Sequence, residues 1–256
     1  MEQRGLFEVS AELALLLFGA AVVAGFVDSI AGGGGLVTLP ALLLAGAPPA
    51  VAIGTNKAQG IWGAGAAALS YARGGHVDLR AQAPVALVAF AAAVAGALLV
   101  LVVPVDALRA ALPFVLIGVA LFFALKPGLD DLDRARRLSP AAFAALPVPL
   151  IAAYDGLLGP GAGSFYLIAF VTLAGMGVLR ATAHTKLLNF ASNAGGLAVF
   201  ALTGALWWKV GLLMAAGQVA GAVIGSRLAM RAGARLIRPL VVATALALAA
   251  SLLLRG

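Results

Sequence analysis

Two lysines stand where lysines are expensive. Lys57 and Lys186 lie inside apolar stretches, each closing a small-polar triplet, Thr55-Asn56-Lys57 and His184-Thr185-Lys186. A charge near the centre of a bilayer-spanning helix costs about 2.5–3.5 kcal/mol on insertion scales, so it is normally paired or used. About thirty residues before each lysine comes an aspartate, Asp28 or Asp155, followed by a glycine-rich break. The breaks read Gly32-Gly33-Gly34-Gly35 and Gly159-Pro160-Gly161-Ala162-Gly163. Four glycines in a row do not hold a straight helix, and backbone released inside lipid must be buried in protein or line a wet cavity. Successive free N–H groups at the start of the following half-helix would form an anion-binding nest, to which Thr38 or Ser164 could add a hydroxyl. The chemistry implied is recognition of a small anion by Gly32–Gly35, Gly159, Gly161 and Gly163, with no metal or cofactor required.

Other roles stay open at this level. Lys57 is about two turns into its segment and could snorkel. Each aspartate could pair with a lysine, carry a coupling proton, or cap its loop. Asn56, Thr185, Asn189 and Asn193 flank the lysines, and such amides serve either as interhelical glue or as substrate donors. His184 has no His or Cys companion at ligand spacing, which argues against a metal. No Ser-His-Asp set, HExxH or GxxxxGK[ST] pattern is present, so an enzyme is not expected.

The elements that must hold these residues are membrane helices. Of 256 residues 63% are hydrophobic and only 11% charged, with a mean hydropathy of +1.07; soluble domains carry about 25% charged residues. The apolar runs are too long for barrel strands. The absence of cysteine excludes thiol chemistry and Cys-ligated metals. A net charge of +7 sits in short loops, where membrane topology explains it and nucleic-acid binding is not expected. The first run follows three acids and one arginine, the wrong sign for a signal peptide, and is read as a retained helix.

Apolar segments fall near 13–30, 36–47, 50–71, 82–103 and 106–125, then 140–157, 163–176, 181–204, 208–229 and 235–254. The halves match at an offset of 127 to 130 residues, pairing Asp28 with Asp155, Lys57 with Lys186 and Gly96 with Gly225. The expected fold is therefore an all-α integral membrane protein of about ten transmembrane or half-transmembrane helices. They form two inverted five-segment repeats, 1–127 and 140–256, around a cytoplasmic linker, 128–139, read as solvated. The second and seventh segments are too short to cross, and paired short Gly/Pro-bounded segments point to a transporter's substrate site. If all ten segments cross, loop Lys and Arg divide eleven to four between the two sides, against nine to six if each short segment merges with its neighbour; the clearer bias puts the N-terminus outside.

The motif blocks resemble the TauE/SafE family of sulfite and organosulfur-anion permeases. The resemblance rests on Asp28-Ser29-Ile30-Ala31 with the tetraglycine, Pro40, Gly54 to Lys57, Tyr154-Asp155-Gly156, Gly159 to Ser164, and His184 to Lys186 with Asn189 and Asn193. It implies a plasma-membrane carrier of small anions such as sulfite, thiosulfate or sulfonates. The expected partners are that anion, the lipid bilayer and a coupling ion, proton or sodium, with Asp28 and Asp155 as proton-coupling candidates. Homo-oligomerisation stays open, because Gly/Ala faces pack both within and between chains.

Overall fold

The structure is a computed structural model that describes residues 10–99, 130–237, 239–240 and 242–243. The expected fifth segment and most of the tenth lie outside the described residues, as do Arg4, Arg109, Lys126, Arg238 and Arg255. Among the described residues there is no strand. The first half supplies α1 (Ala11–Ala31), α2 (Gly35–Leu44), α3 (Pro49–Arg73) and α4 (Leu79–Leu99). The second supplies α5 (Pro140–Ala145), α6 (Pro147–Leu157), α7 (Ala162–Thr172), α8 (Val178–Leu202) and α9 (Trp208–Ala232).

Local chemistry sets the boundaries. Ser10 caps α1 through Leu13 N at 3.2 Å, and Ser139 caps α5 through Ala142 N at 3.2 Å with Pro140 at the first helical position. Gly32 ends α1 in the left-handed region, φ 80°, its N–H on Asp28 O. At 10 and 11 residues, α2 and α7 are about 15–17 Å long, half a bilayer. Both double back. Leu42 and Ala47 cluster with Leu17 and Ala21 of the first half of α1, while Phe165 meets Tyr154 and Phe170 meets Phe143, tracing α7 backwards along α6 and α5. The short segments are therefore re-entrant half-helices, and each following helix starts from the end at which its hairpin began.

Among the described residues four spans are long and apolar enough to cross a membrane: α1, α4, the α5–α6 pair and α9. Their outer faces present Leu15, Leu16, Leu87, Leu150, Leu212 and Ile224, as lipid contact demands. The 25-residue α3 and α8 carry the polar motifs and are buried in the centre. They run antiparallel, with Gly54 against Phe200, Gly60 against Asn193 and Gly65 against Phe190.

Small residues let the outer helices pack on one another around this centre, since van der Waals packing rather than hydrophobicity drives helix association in lipid. Gly217, Gly221 and Gly225 press on the backbone of α1; a Cβ on Gly217 would lie 2.7 Å from Phe18 O. Gly96 and Gly156 similarly close α4 onto α6. These contacts fix the ends of α1 and α6, where Asp28 and Asp155 reside.

The linker is exposed to solvent along residues 131–137, and its backbone and aspartates also bind across the α7–α8 corner. Arg134 N and Arg137 N donate to Gly175 O and Leu173 O at 2.7 and 2.9 Å, and Val178 N donates to Asp130 O at 2.9 Å. Asp133 accepts from Gly177 N at 2.8 Å and pairs with Arg180, while Asp131 accepts from Leu179 N and Ala234 N, both at 3.0 Å. The aspartates thus answer backbone donors at a helix start, where carboxylates are favoured.

Candidate functional site

The two glycine breaks meet. Gly32 and Gly163 touch backbone to backbone; a Cβ on Gly163 would stand 2.5 Å from Gly32 Cα. Ser164 Oγ donates to Ala31 O at 2.9 Å, locking the second break onto the first. Between them lies a cavity of about 30 Å³, room for about two waters. Its wall holds Asp28, Asp155 and glycine backbone together with Asn56, Asn189, Asn193 and Gln218.

Lys57 and Lys186 stand behind this lining rather than in it. Lys57 Nζ, fully buried, donates to Asp155 Oδ1 at 2.5 Å, and Ser192 Oγ donates to the other carboxylate oxygen. Lys186 Nζ donates to Asp28 backbone O and lies 3.8 Å from Asp28 Oδ2. Asp28 Oδ1 in turn accepts from Gly34 N at 3.1 Å. Both pairs cross between the halves. Each lysine is eight residues past the start of its helix, about 12 Å along the axis; because α3 and α8 are antiparallel, the pairs bracket the cavity from opposite ends. Snorkelling is ruled out for both lysines by full burial.

What remains to meet a ligand includes a set of donors. Asn56 Oδ1 accepts from Thr38 Oγ1 at 2.6 Å and Gln59 Nε2 at 2.9 Å, leaving its Nδ2 beside Gly35. The N–H groups of Gly35, Gly161 and Gly163 make no hydrogen bond among the described residues and belong to the starts of α2 and α7, whose dipole ends favour negative charge. Asn193 Nδ2 is committed to Asn189 O at 2.7 Å, whereas Asn189 Oδ1 is buried without a partner. Thr185 Oγ1 turns to Ala181 O of its own helix at 2.8 Å, so it supports rather than lines the cavity. Gly33 supplies a carbonyl to Leu36 N at 3.0 Å.

Two participants were not anticipated. Gln218 is an amide inside the apolar α9, an oddity that hydropathy alone exposes. Ser192 sits among alanine and glycine and gives no sign before its contact with Asp155 is seen.

The family model described as "Sulfite exporter TauE/SafE" matches residues 17–252. The chain belongs to that family. A protein of a Sinorhizobium species named "Probable membrane transporter protein ORF9" is 56% identical over 246 residues, 96% of this chain and 94% of the relative. "Probable membrane transporter protein YfcA" of Escherichia coli strain K12 is 46% identical over 248 residues, 97% and 92% of the two chains. A "Probable membrane transporter protein" of Haemophilus influenzae is 43% identical over 235 residues, 92% of each. No solved structure matches the chain. Membership in TauE/SafE and the apolar spans together make it a multi-pass membrane transporter.

Proposed function

We propose that this TauE/SafE protein is a secondary transporter that moves a small anion of the sulfite, thiosulfate or sulfonate class across the plasma membrane by alternating access, with its N-terminus outside. In this reading residues 1–127 and 140–256 are inverted repeats joined by 128–139, and the substrate occupies the cavity where their glycine breaks meet. The observation that carries it is the meeting of two half-helix N-termini from opposite halves, with unbonded Gly35, Gly161 and Gly163 N–H groups and the Asn56 amide around one cavity. Anionic oxygens are what such donors recognise.

Lys57 and Lys186 act from behind the wall, each offsetting an aspartate, so the donors decide the sign of the ligand. At about 30 Å³ the cavity is small, and in this reading a larger anion is admitted when a hairpin parts from its partner. The two cross-half pairs, one toward each end, are the contacts to be broken in turn, with Asp28 and Asp155 as proton-coupling candidates.

The test is counterflow in proteoliposomes loaded with sulfite. Saturable entry of labelled sulfite, accelerated by internal sulfite or thiosulfate but not chloride, supports the carrier. Non-saturable flux without acceleration from the far side indicates a channel, and no flux of any sulfur anion removes the substrate assignment.

A further inference from the structure

A second cavity, of about 640 Å³, opens among the end of α3 and the starts of α4, α5 and α8. Helix α8 separates it from the glycine cavity, because His184 and Arg180 project from one face of that helix and Lys186, Asn189 and Asn193 from the other. Its volume is that of a pocket for a sizeable ligand, twenty times what the glycine cavity offers.

The walls are graded. The floor is aromatic and aliphatic: Phe143 and Phe170 lie with ring centroids 4.7 Å apart, His184 stacks on Phe170 at 5.5 Å, and Val85 completes it. Val85 and His184 are each six residues inside their helices, so the floor reaches about 9 Å below the helix ends. The rim carries Arg136, Arg180, His76 and Asp78. Asp78 is occupied in capping α4 through Arg80 N and Ala81 N at 2.9 and 3.1 Å, and Arg180 is paired with Asp133. Arg136 is exposed and has no ion-pair partner among the described residues. In the wall, Gln82 is 6% exposed; its Nε2 donates to His184 O at 2.9 Å while its Oε1 accepts nothing.

We infer that this cavity binds the headgroup and upper chain of an anionic phospholipid, of the phosphatidylglycerol kind, from the leaflet that this end of the bundle meets. A basic rim over an apolar floor at interfacial depth matches an anionic amphiphile in both charge and polarity gradient. Arg136 supplies the unspent positive charge. In the bilayer this ligand is also at far higher local concentration than any dissolved anion.

The test is native mass spectrometry of the delipidated full chain, titrated with phosphatidylglycerol or phosphatidylcholine, on wild type, Arg136→Glu and Arg80→Glu. Arg80 is exposed at the same end but lies outside the cavity. Wild type and Arg80→Glu are expected to retain phosphatidylglycerol preferentially, and Arg136→Glu to lose that preference by about fivefold or more, the worth of one basic residue at an anionic surface. Unchanged preference in Arg136→Glu, or none in wild type, overturns the assignment. Displacement of the lipid by soluble glycerol phosphate at comparable concentration also overturns it and gives the cavity to a dissolved anion.

Discussion

Lys57 of the first half and Asp155 of the second meet at 2.5 Å, the lysine side chain 0% and the aspartate side chain 4% exposed. A buried pair of this kind adds little net stability compared with an apolar replacement, but losing one member strands the other charge at a cost of about 3–5 kcal/mol. Lys57→Ala and Asp155→Ala are each expected to lower stability by about that amount. The double variant is expected to recover much of it. Unfolding of all three in one detergent, read as a double-mutant cycle, checks the coupling, and simple additivity would contradict it.

The Gly32–Gly163 contact predicts a graded glycine series. Gly46 has φ +89° with nothing within 4 Å of a Cβ, so Gly46→Ala is expected to cost only the left-handed strain, about 1–2 kcal/mol. Gly32→Ala adds to that strain an overlap with Gly163 backbone and is expected to cost more and abolish counterflow. Gly19 has open space and no positive φ, so its alanine variant is expected to match wild type or exceed it slightly in stability. Thermal midpoints and transport on the three variants read the order.

Docking of the linker is expected to slow its cleavage by proteases. Asp131→Asn/Asp133→Asn weakens the acceptors for Gly177, Leu179 and Ala234 N–H groups, and caps of this sort contribute about 0.5–2 kcal/mol each. Cleavage within 130–139 is expected to quicken several-fold, with the helical circular-dichroism signal unchanged. Equal cleavage rates would mean that the aspartates do not hold the segment. The exposed Arg180–Asp133 pair contributes little beyond this, because solvent screens it.

Gln218 brings to the cavity an amide that has no equivalent in the first half, where Ala89 occupies the matching position. If substrate binds there, Gln218→Ala is expected to raise the half-saturation concentration for sulfite about tenfold, the worth of one hydrogen bond to a charged group. The maximal rate should hold. A fall in rate with unchanged half-saturation would place Gln218 in the conformational step instead.

Much of this was legible in the sequence because charges and glycine runs are conspicuous in an apolar background. Asp28, Lys57, Asp155 and Lys186 could be singled out on cost alone, and the shortness of α2 and α7 was visible from their Gly and Pro boundaries. Which aspartate serves which lysine was not, since a pair within one half has the same composition as a pair between halves. That α2 and α7 double back is set by packing such as that of the cluster holding Leu42 and Leu17, which segment length does not encode. The aspartates at 131 and 133 are solvated, as charged connectors usually are; that they also accept from backbone donors was not legible, because those partners lie more than forty positions away in the chain. Hydropathy also ranks α3 and α8 below the outer spans for a physical reason: the central helices meet protein, not lipid, on most sides.

The exchange of partners between halves has a consequence for how the chain is made. Lys57 enters the bilayer 98 residues ahead of Asp155, and at about 5–20 residues per second the ribosome leaves it unmatched for roughly 5–20 s. Asp28 waits longer, for a lysine 158 positions downstream. Throughout that interval the newborn first half holds a lone cation and a lone carboxylate that only the second half answers. Late synthesis, rather than early insertion, therefore completes these two buried pairs.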